Sequence, residues 1–321
     1  MRWTMGVLFP ARLRMRATTG SSGARAARLL YQQRRHPMLA SAASRGRSLV
    51  LSRGLGRRCD PPLEGFDELC DLLGIAPVGA AAIQSWRADR LVLCIVGHAD
   101  SVVVKLGSRL DTGLSAEAAI LGGLDGVAGP VLAPRVRWHG VWRDRFALAT
   151  EAIQLADSQR DLSLTEAADT ATALSAGSAV VGPLVHGDFS PWNLLRTPDG
   201  LALVDWEAGR MGCEPLFDLA HFVVTRGALL RREQPHLAVP QLTAPGSPGW
   251  RHLVALGVDP STAPDLLQDY LERTWERTEA SWEYRRGLLE LLRARSAAGT
   301  PTPSSLAAAG AGTEPTGAAP Q

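Results

Sequence analysis

Asp188, Asn193 and Asp205 place oxygen donors at three points of one short stretch, LVHGDFSPWNLLRTPDGLALVDWE from Leu184 to Glu207. Two apolar runs within it, Leu184 to His186 and Leu201 to Asp205, read as β-strands bounded by turn residues. The three side chains therefore fall where a strand gives way to a loop. A hard divalent cation such as Mg²⁺ takes oxygen ligands, commonly one or two carboxylates, with substrate phosphates completing its shell. A third acidic group held off the metal can accept the proton of an attacking hydroxyl. The stretch thus reads as a Mg²⁺ and phosphate site; the plain alternative is a set of hydrogen-bonded loop residues in some α/β protein. Lys105 is the second chemical anchor, the only lysine of a chain whose other 33 basic residues are arginine. It is expected to end an apolar strand from Ser101 to Leu106 and to project a compact charge from the sheet, or else to guard an edge strand against aggregation.

The spacing has a known counterpart. His186-Gly187-Asp188, four further residues and Asn193 repeat the H-x-D-x-x-x-x-N loop of protein kinases, and Val204-Asp205-Trp206-Glu207 stands where their D-F-G lies. Together with GCEPLFDLAHF from Gly212 to Phe222, these blocks resemble the aminoglycoside phosphotransferase and choline kinase family, whose members share the protein-kinase fold. The resemblance implies an α+β, protein-kinase-like two-lobe architecture, with a small antiparallel-sheet N-lobe and a mostly helical C-lobe. It implies Asp188 as the base and Asn193 and Asp205 as Mg²⁺ ligands. Lys105 would hold the α and β phosphates of ATP, directed by Glu117 from a helix expected at Ser115 to Leu124; alternatively Glu117 serves only the positive end of that helix. Backbone groups of Glu151 and Ile153 would meet the adenine edge at the hinge. His186 and Asp218 would support the catalytic loop, helix capping being the plainer role for Asp218.

The function implied is an ATP- and Mg²⁺-dependent kinase that phosphorylates a hydroxyl of a small molecule: a sugar, an aminoglycoside or an amino alcohol. Between Ile83 and Val96 the chain has no glycine, although protein kinases place a glycine-rich loop there over the phosphates. The turn Trp86 to Asp89, helped by Ser85, would have to cover the nucleotide with a different backbone. This departure motivates the alternative, a pseudokinase that binds nucleotide or acts as a scaffold. Acceptor choice is expected to lie between Arg226 and Pro264. An acidic pocket there would suit a polycation, and an aromatic platform such as Trp250 or Trp282 would suit a sugar.

At 321 residues and 34.2 kDa, with 45% hydrophobic and 21% charged residues, the chain has the composition of a soluble globular protein. No apolar run is long enough to span a bilayer as a helix. Cys59, Cys70, Cys94 and Cys213 lack the spacing of a zinc site or disulfide framework and read as free thiols of a reducing, cytoplasmic compartment. The net charge of +2 is unevenly spread. Residues 1–59 hold thirteen arginines and no acidic residue, and the remaining 21 basic residues face 32 acidic ones. An acidic body of that kind argues against nucleic-acid binding by the folded part.

The domain reading follows from these shifts. Residues 1–59 are expected to be a disordered Arg-rich extension: a mitochondrial presequence, sequence upstream of a true start such as Met38, or a basic tail. Residues 60–150 form the nucleotide-binding lobe, 151–296 the catalytic and acceptor-binding lobe, and 297–321 a flexible Ala, Gly and Pro-rich tail. Phe66 to Leu73 reads as an amphipathic helix stopped by Gly74, Gly97 to Asp100 as a hairpin turn, and Ser163 with Glu166 as a capping box.

Overall fold

The computed structural model describes residues 3–8, 13–33, 57–59, 61–84, 90–124, 131–156, 162–177, 184–230, 233–274 and 282–297. Its first lobe is built on an antiparallel sheet. Strands β1 (Trp3–Leu8) and β2 (Leu13–Thr18) form a hairpin, helix α1 (Ser21–Gln33) follows, and β3 (Arg57–Cys59) pairs back onto β1. Helix α2 (Phe66–Leu72) leads into β4 (Gly79–Gln84), β5 (Leu91–Val96) and β6 (Ser101–Ser108). After helix α3 (Thr112–Leu124) and the short β7 (Val131–Leu132), β8 (Val136–Trp142) and β9 (Arg145–Glu151) complete the lobe. Eight of these strands share one sheet in the order β3-β1-β2-β4-β5-β6-β9-β8.

The expectation of a disordered extension is corrected for residues 3–8, 13–33 and 57–59, which belong to this sheet or pack on it. Sheet pairing uses backbone groups that every non-proline residue carries, so an arginine-rich composition does not forbid it. β2 pairs with β4 from Arg14↔Gln84 to Ala17↔Ala81. The hydroxyl of Thr18 accepts from Ala80 N at 2.9 Å and donates to Ala80 O at 3.2 Å. The strand carrying Lys105 also runs on to Ser108, so the lysine lies inside β6 and not at its end. The turn Trp86 to Asp89, Ser85 and the tail from residue 298 lie outside the described residues.

Alternation decides what each sheet face meets. Leu93, Ile95, Val104 and Leu106 point to the side closed by α2, where Phe66, Leu69 and Cys70 are buried. The opposite face carries Ala81, Ile83, Val92, Cys94 and Val103, against which α1 lays Ala26, Ala27 and Leu30.

Beyond Glu151 the chain is mainly helical. Helix α4 (Leu164–Gly177) begins with the expected capping box: Glu166 N donates to Ser163 Oγ at 3.2 Å, and Ser163 N donates back to Glu166 Oε2 at 2.9 Å. Strands β10 (Leu184–Val185), β11 (Leu194–Thr197), β12 (Gly200–Leu203) and β13 (Arg210–Met211) frame the loops of interest. Helices α5 (Phe217–Leu230), α6 (Pro235–Thr243), α7 (Pro248–Ala255), α8 (Ala263–Arg273) and α9 (Trp282–Ala297) finish the lobe. One apolar core runs through them, with Phe189, Trp206, Phe222 and Leu267 fully buried in it. No helix among the described residues is long and apolar enough to cross a membrane.

Candidate active site

The site is assembled from both lobes by one ammonium group. Lys105 Nζ donates to Glu117 Oε1 and Oε2 at 2.7 and 2.8 Å and to Asp205 Oδ1 at 2.5 Å. The contacts join β6, α3 and the segment after β12, the last of them one hundred residues further along the chain. Burial disfavours the ammonium, but the carboxylates of Asp205 and Glu117 outweigh it and hold its pKa above the ordinary lysine value. Two carboxylates share this one cation. Glu117, the more buried of the two, therefore has its pKa raised by desolvation and by repulsion from Asp205, against the pull of Lys105. Glu117 Oε1 also accepts from Trp206 N at 3.2 Å, so the same side chain that directs Lys105 fixes the backbone beside Asp205.

Asp205 itself has φ 71° and ψ 61°. Asp and Asn tolerate this left-handed region better than other side chains. The turn swings the carboxylate out of the β12 line towards Lys105, with 34% of the side chain exposed. Behind it Trp206 is fully buried, donating Nε1–H to Leu203 O at 2.8 Å and meeting the ring of His186 edge-on at 4.7 Å.

The other loop leaves β10 at His186. Gly187 has φ +78°, and a Cβ there would lie 2.1 Å from Ala208 O, so both conformation and space require glycine. Asp218, at the first turn of α5, accepts from His186 N at 2.7 Å and Gly187 N at 2.9 Å. Desolvation raises the Asp218 pKa, opposed by His186 and by these two N–H groups. His186 is fully buried, and desolvation lowers its pKa. Neutral, it donates Nε2–H to Val204 O at 3.0 Å and accepts from Asp188 N at Nδ1 at 3.3 Å, tying the two loops together. Asn193 Nδ2 donates to Asp188 O at 2.9 Å and to Asp188 Oδ2 at 3.0 Å.

Lys105, Glu117, Asp205, Trp206 and His186 thus form one connected network, and Asp188, Asn193 and Asp218 join it through the loop backbone. The hinge candidates stand apart from it. Glu151 N donates to Arg135 O at 2.9 Å, which removes that N–H from the groups an adenine edge could use, and Ile153 follows β9.

Two participants escaped the sequence reading. Arg90, just before β5, donates to Asp111 Oδ2 and Oδ1 at 2.8 and 2.7 Å and also to Glu207. Asp111 in turn caps α3 by accepting from Leu114 N at 3.0 Å. His221 approaches Asp188 Oδ1 with Nε2 at 3.0 Å. One turn along α5 from Asp218, it lies on the helix face already turned to the loop; the helical spacing of FDLAH was the available signal.

A small antiparallel sheet whose lysine is paired to a helix glutamate, set over a helical lobe that presents H-x-D-x-x-x-x-N and V-D-W-E loops, defines a protein-kinase-like phosphotransferase fold. Residues 107–280, more than half the chain, match the family described as "Phosphotransferase enzyme family" (APH), and the chain belongs to it. Among solved structures, a thermostable mutant of aminoglycoside phosphotransferase APH(4)-Ia in ternary complex with ADP and hygromycin B is 14% identical. It covers 74% of this chain and 100% of its own, with TM-score 0.44. Spectinomycin phosphotransferase APH(9)-Ia in complex with ADP and spectinomycin is 12% identical, covering 74% and 99% with TM-score 0.45. A putative fructosamine-3-kinase from Haemophilus somnus 129PT is 12% identical, covering 70% and 95% with TM-score 0.46. A comparison with curated proteins finds no match.

Proposed function

We propose that this phosphotransferase is an ATP- and Mg²⁺-dependent kinase that transfers the γ-phosphoryl group to a hydroxyl of a small acceptor, such as a sugar, an aminoglycoside or an amino alcohol. The observation that carries the reading is the Lys105 Nζ contact to both Glu117 and Asp205, which brings the phosphate-binding cation of one lobe to the carboxylate of the other.

The residues fit a hard divalent cation. The Asn193 amide nitrogen donates to Asp188 O and Oδ2, which leaves Oδ1 as the atom of that side chain suited to ligation. Asp205 adds a carboxylate whose side chain is 34% exposed beside Lys105. Asn193 and Asp205 would hold Mg²⁺, which supplies charge neutralisation at the phosphates. Lys105 binds the α and β phosphates and turns with Glu117. Asp188 accepts the acceptor's hydroxyl proton while the hydroxyl oxygen bonds to the γ-phosphorus. The bond from that phosphorus to the β–γ bridging oxygen breaks, and ADP leaves with its electron pair. Asp218 and His186 act on the loop backbone, so catalysis consists mainly of positioning and charge stabilisation.

The test is ADP release by the full chain with ATP and Mg²⁺, scanned across aminoglycosides, choline, and neutral and amino sugars, with Asp205→Ala as control. Acceptor-stimulated ADP release that disappears in Asp205→Ala supports the reading and names the acceptor class. Release that persists in Asp205→Ala, or its absence with every acceptor class, refutes it.

A further inference from the structure

We propose that His221 is a positioning residue for Asp188, held in one tautomer by a buried chain of donors that includes Tyr270 and Arg285. The inference deepens the functional reading above and rests on it for the role of Asp188. Arg285 and Tyr270 are each 3% exposed. Arg285 Nη2 lies 3.4 Å from the Tyr270 hydroxyl oxygen, and Arg285 Nη1 donates to Thr274 Oγ1 at 2.5 Å. A guanidinium has no acceptor, so Tyr270 receives at its oxygen and keeps its own proton to give. That proton goes to His221 Nδ1 at 2.9 Å. With Nδ1 accepting, the neutral ring carries its hydrogen on Nε2 and donates it to Asp188 Oδ1 at 3.0 Å. The other tautomer would set the bare Nε2 against the carboxylate.

Asp188 is therefore gripped at both oxygens, by His221 at Oδ1 and by Asn193 at Oδ2. The carboxylate keeps one rotamer and one plane, with its remaining lone pairs left for the acceptor hydroxyl. His221 cannot relay the proton, because its Nε2 is already protonated; it acts by orientation. Side-chain directions of this kind are where a small displacement has a large rate cost.

The test compares His221→Phe, which keeps the ring shape without a donor, with His221→Gln, which offers an amide N–H at nearly the same reach. His221→Phe is expected to lower kcat by roughly 10- to 10²-fold with the nucleotide KM unchanged, and His221→Gln to recover most of that loss. In an Asp188→Ala background, His221→Phe should cause no further fall. Equal losses in both variants, or an additive loss in that background, would overturn the proposal. Long-range ¹H–¹⁵N spectra of the full chain give a readout that needs no acceptor. The proposal requires an Nε2–H tautomer whose signals move in Asp188→Asn, and an Nδ1–H tautomer would refute it even if turnover proved undetectable.

A different observation carries a second inference, concerning α1. The registers Ile83↔Val92, Val92↔Lys105 and Lys105↔Leu148 make one cross-strand row, and Ala81↔Cys94, Cys94↔Val103 and Val103↔Thr150 make the next. Both rows share the sheet face that carries the Lys105 ammonium. α1 buries Ala26, Ala27 and Leu30 on this same face, against Ala81, Ile83, Val92, Cys94 and Val103, and Ala152 packs onto the cluster. The approach is close: a Cβ on Gly79 would lie 2.4 Å from Ser22 C.

We infer that α1, lying over β4 and β5 on the sheet face that carries Lys105, occupies the position of the nucleotide base and must leave before a base can enter. This too rests on the functional reading. In the full chain, Ala27→Glu and Leu30→Asp would each set a carboxylate against the apolar face and release the helix. Alkylation of Cys94, mapped by mass spectrometry, reports that release, and calorimetry with ADP and Mg²⁺ reports the consequence. The expected result is faster Cys94 labelling and ADP binding about tenfold tighter or more, since occlusion lowers apparent affinity by the fraction of open molecules. Faster labelling with wild-type ADP affinity would overturn this inference and leave the functional reading intact. Faster labelling with no ADP binding by any form would sink both. Unchanged labelling in both variants would show that α1 is not a releasable cover.

Discussion

Replacing Asp218 by Asn isolates the contribution of a buried carboxylate that touches no substrate. Its two oxygens accept from His186 N at 2.7 Å and Gly187 N at 2.9 Å, and the side chain is 3% exposed. Asn keeps one acceptor and turns an NH₂ group towards the other N–H. One charge-assisted bond of about 1.5–3 kcal/mol is lost and a buried N–H is left unsatisfied, at about 1–3 kcal/mol. Relief of the carboxylate's own desolvation, visible in its raised pKa, offsets part of this. The net expectation is a loss of about 2 kcal/mol, or roughly 3–4 °C in Tm for a chain of this size. Because the misplaced donor faces the peptide between His186 and Asp188, kcat should fall by roughly 10²-fold while nucleotide KM changes little. Scanning calorimetry and steady-state kinetics on the same preparation measure both effects. A variant with wild-type kcat and a Tm within 1 °C or so of wild type would refute the claim that Asp218 sets the loop backbone.

Asp188→Ala should lower turnover by roughly 10²- to 10⁴-fold with nucleotide binding retained, as loss of a positioned base does; single-turnover kinetics and ADP titration separate the two. Gly187→Ala should abolish turnover and destabilise the chain by about 3 kcal/mol or more, since φ +78° and the clash with Ala208 O both oppose a Cβ; its urea midpoint would show this. Glu166 has its pKa lowered to about 2, first by the hydrogen bond from Arg196 and then by Ser163 N. A depressed carboxylate stabilises the fold above its unfolded pKa and loses that contribution as pH falls towards the folded value. Glu166→Gln should therefore cost about 1 kcal/mol at pH 7, once solvent screening of this partly exposed pair is allowed for, with the gap to wild type narrowing below about pH 4.5. Parallel melts across pH would check it, and a constant gap would refute it.

What the sequence made legible was local. Asp188 and Asn193 share one loop, Asp205 stands at a strand end, and the capping box of α4 spans four residues, so short-range spacing carried each of them. The pairing of Lys105 with Glu117 became legible only through resemblance, because no local rule turns a strand residue towards a helix. Arg90 was hidden for a related reason: its partner Glu207 is 117 residues away, and charge alone does not choose partners at that range. The misreading of β2 and α1 had another cause. Composition outweighed pattern, although Leu13-Arg14-Met15-Arg16-Ala17 alternates with the period of a strand, and Ala26, Ala27 and Leu30 recur with that of a helix.

α5 shows why the site could be read from so few residues. Asp218 and His221 are three positions apart, so a single helical turn presents one to the backbone of the H-G-D segment and the other to its carboxylate. A shift or rotation of the helix would move peptide and side chain together and preserve their relative placement. The opposite flank is secured in the same manner by Glu117, which holds Lys105 with both oxygens and Trp206 N with one of them. Each lobe thus contributes one helix that fixes a charged group and the neighbouring loop backbone as a unit. The two units meet at the contact between Lys105 Nζ and Asp205 Oδ1, so the placement of each helix is passed to the charged group of the other lobe.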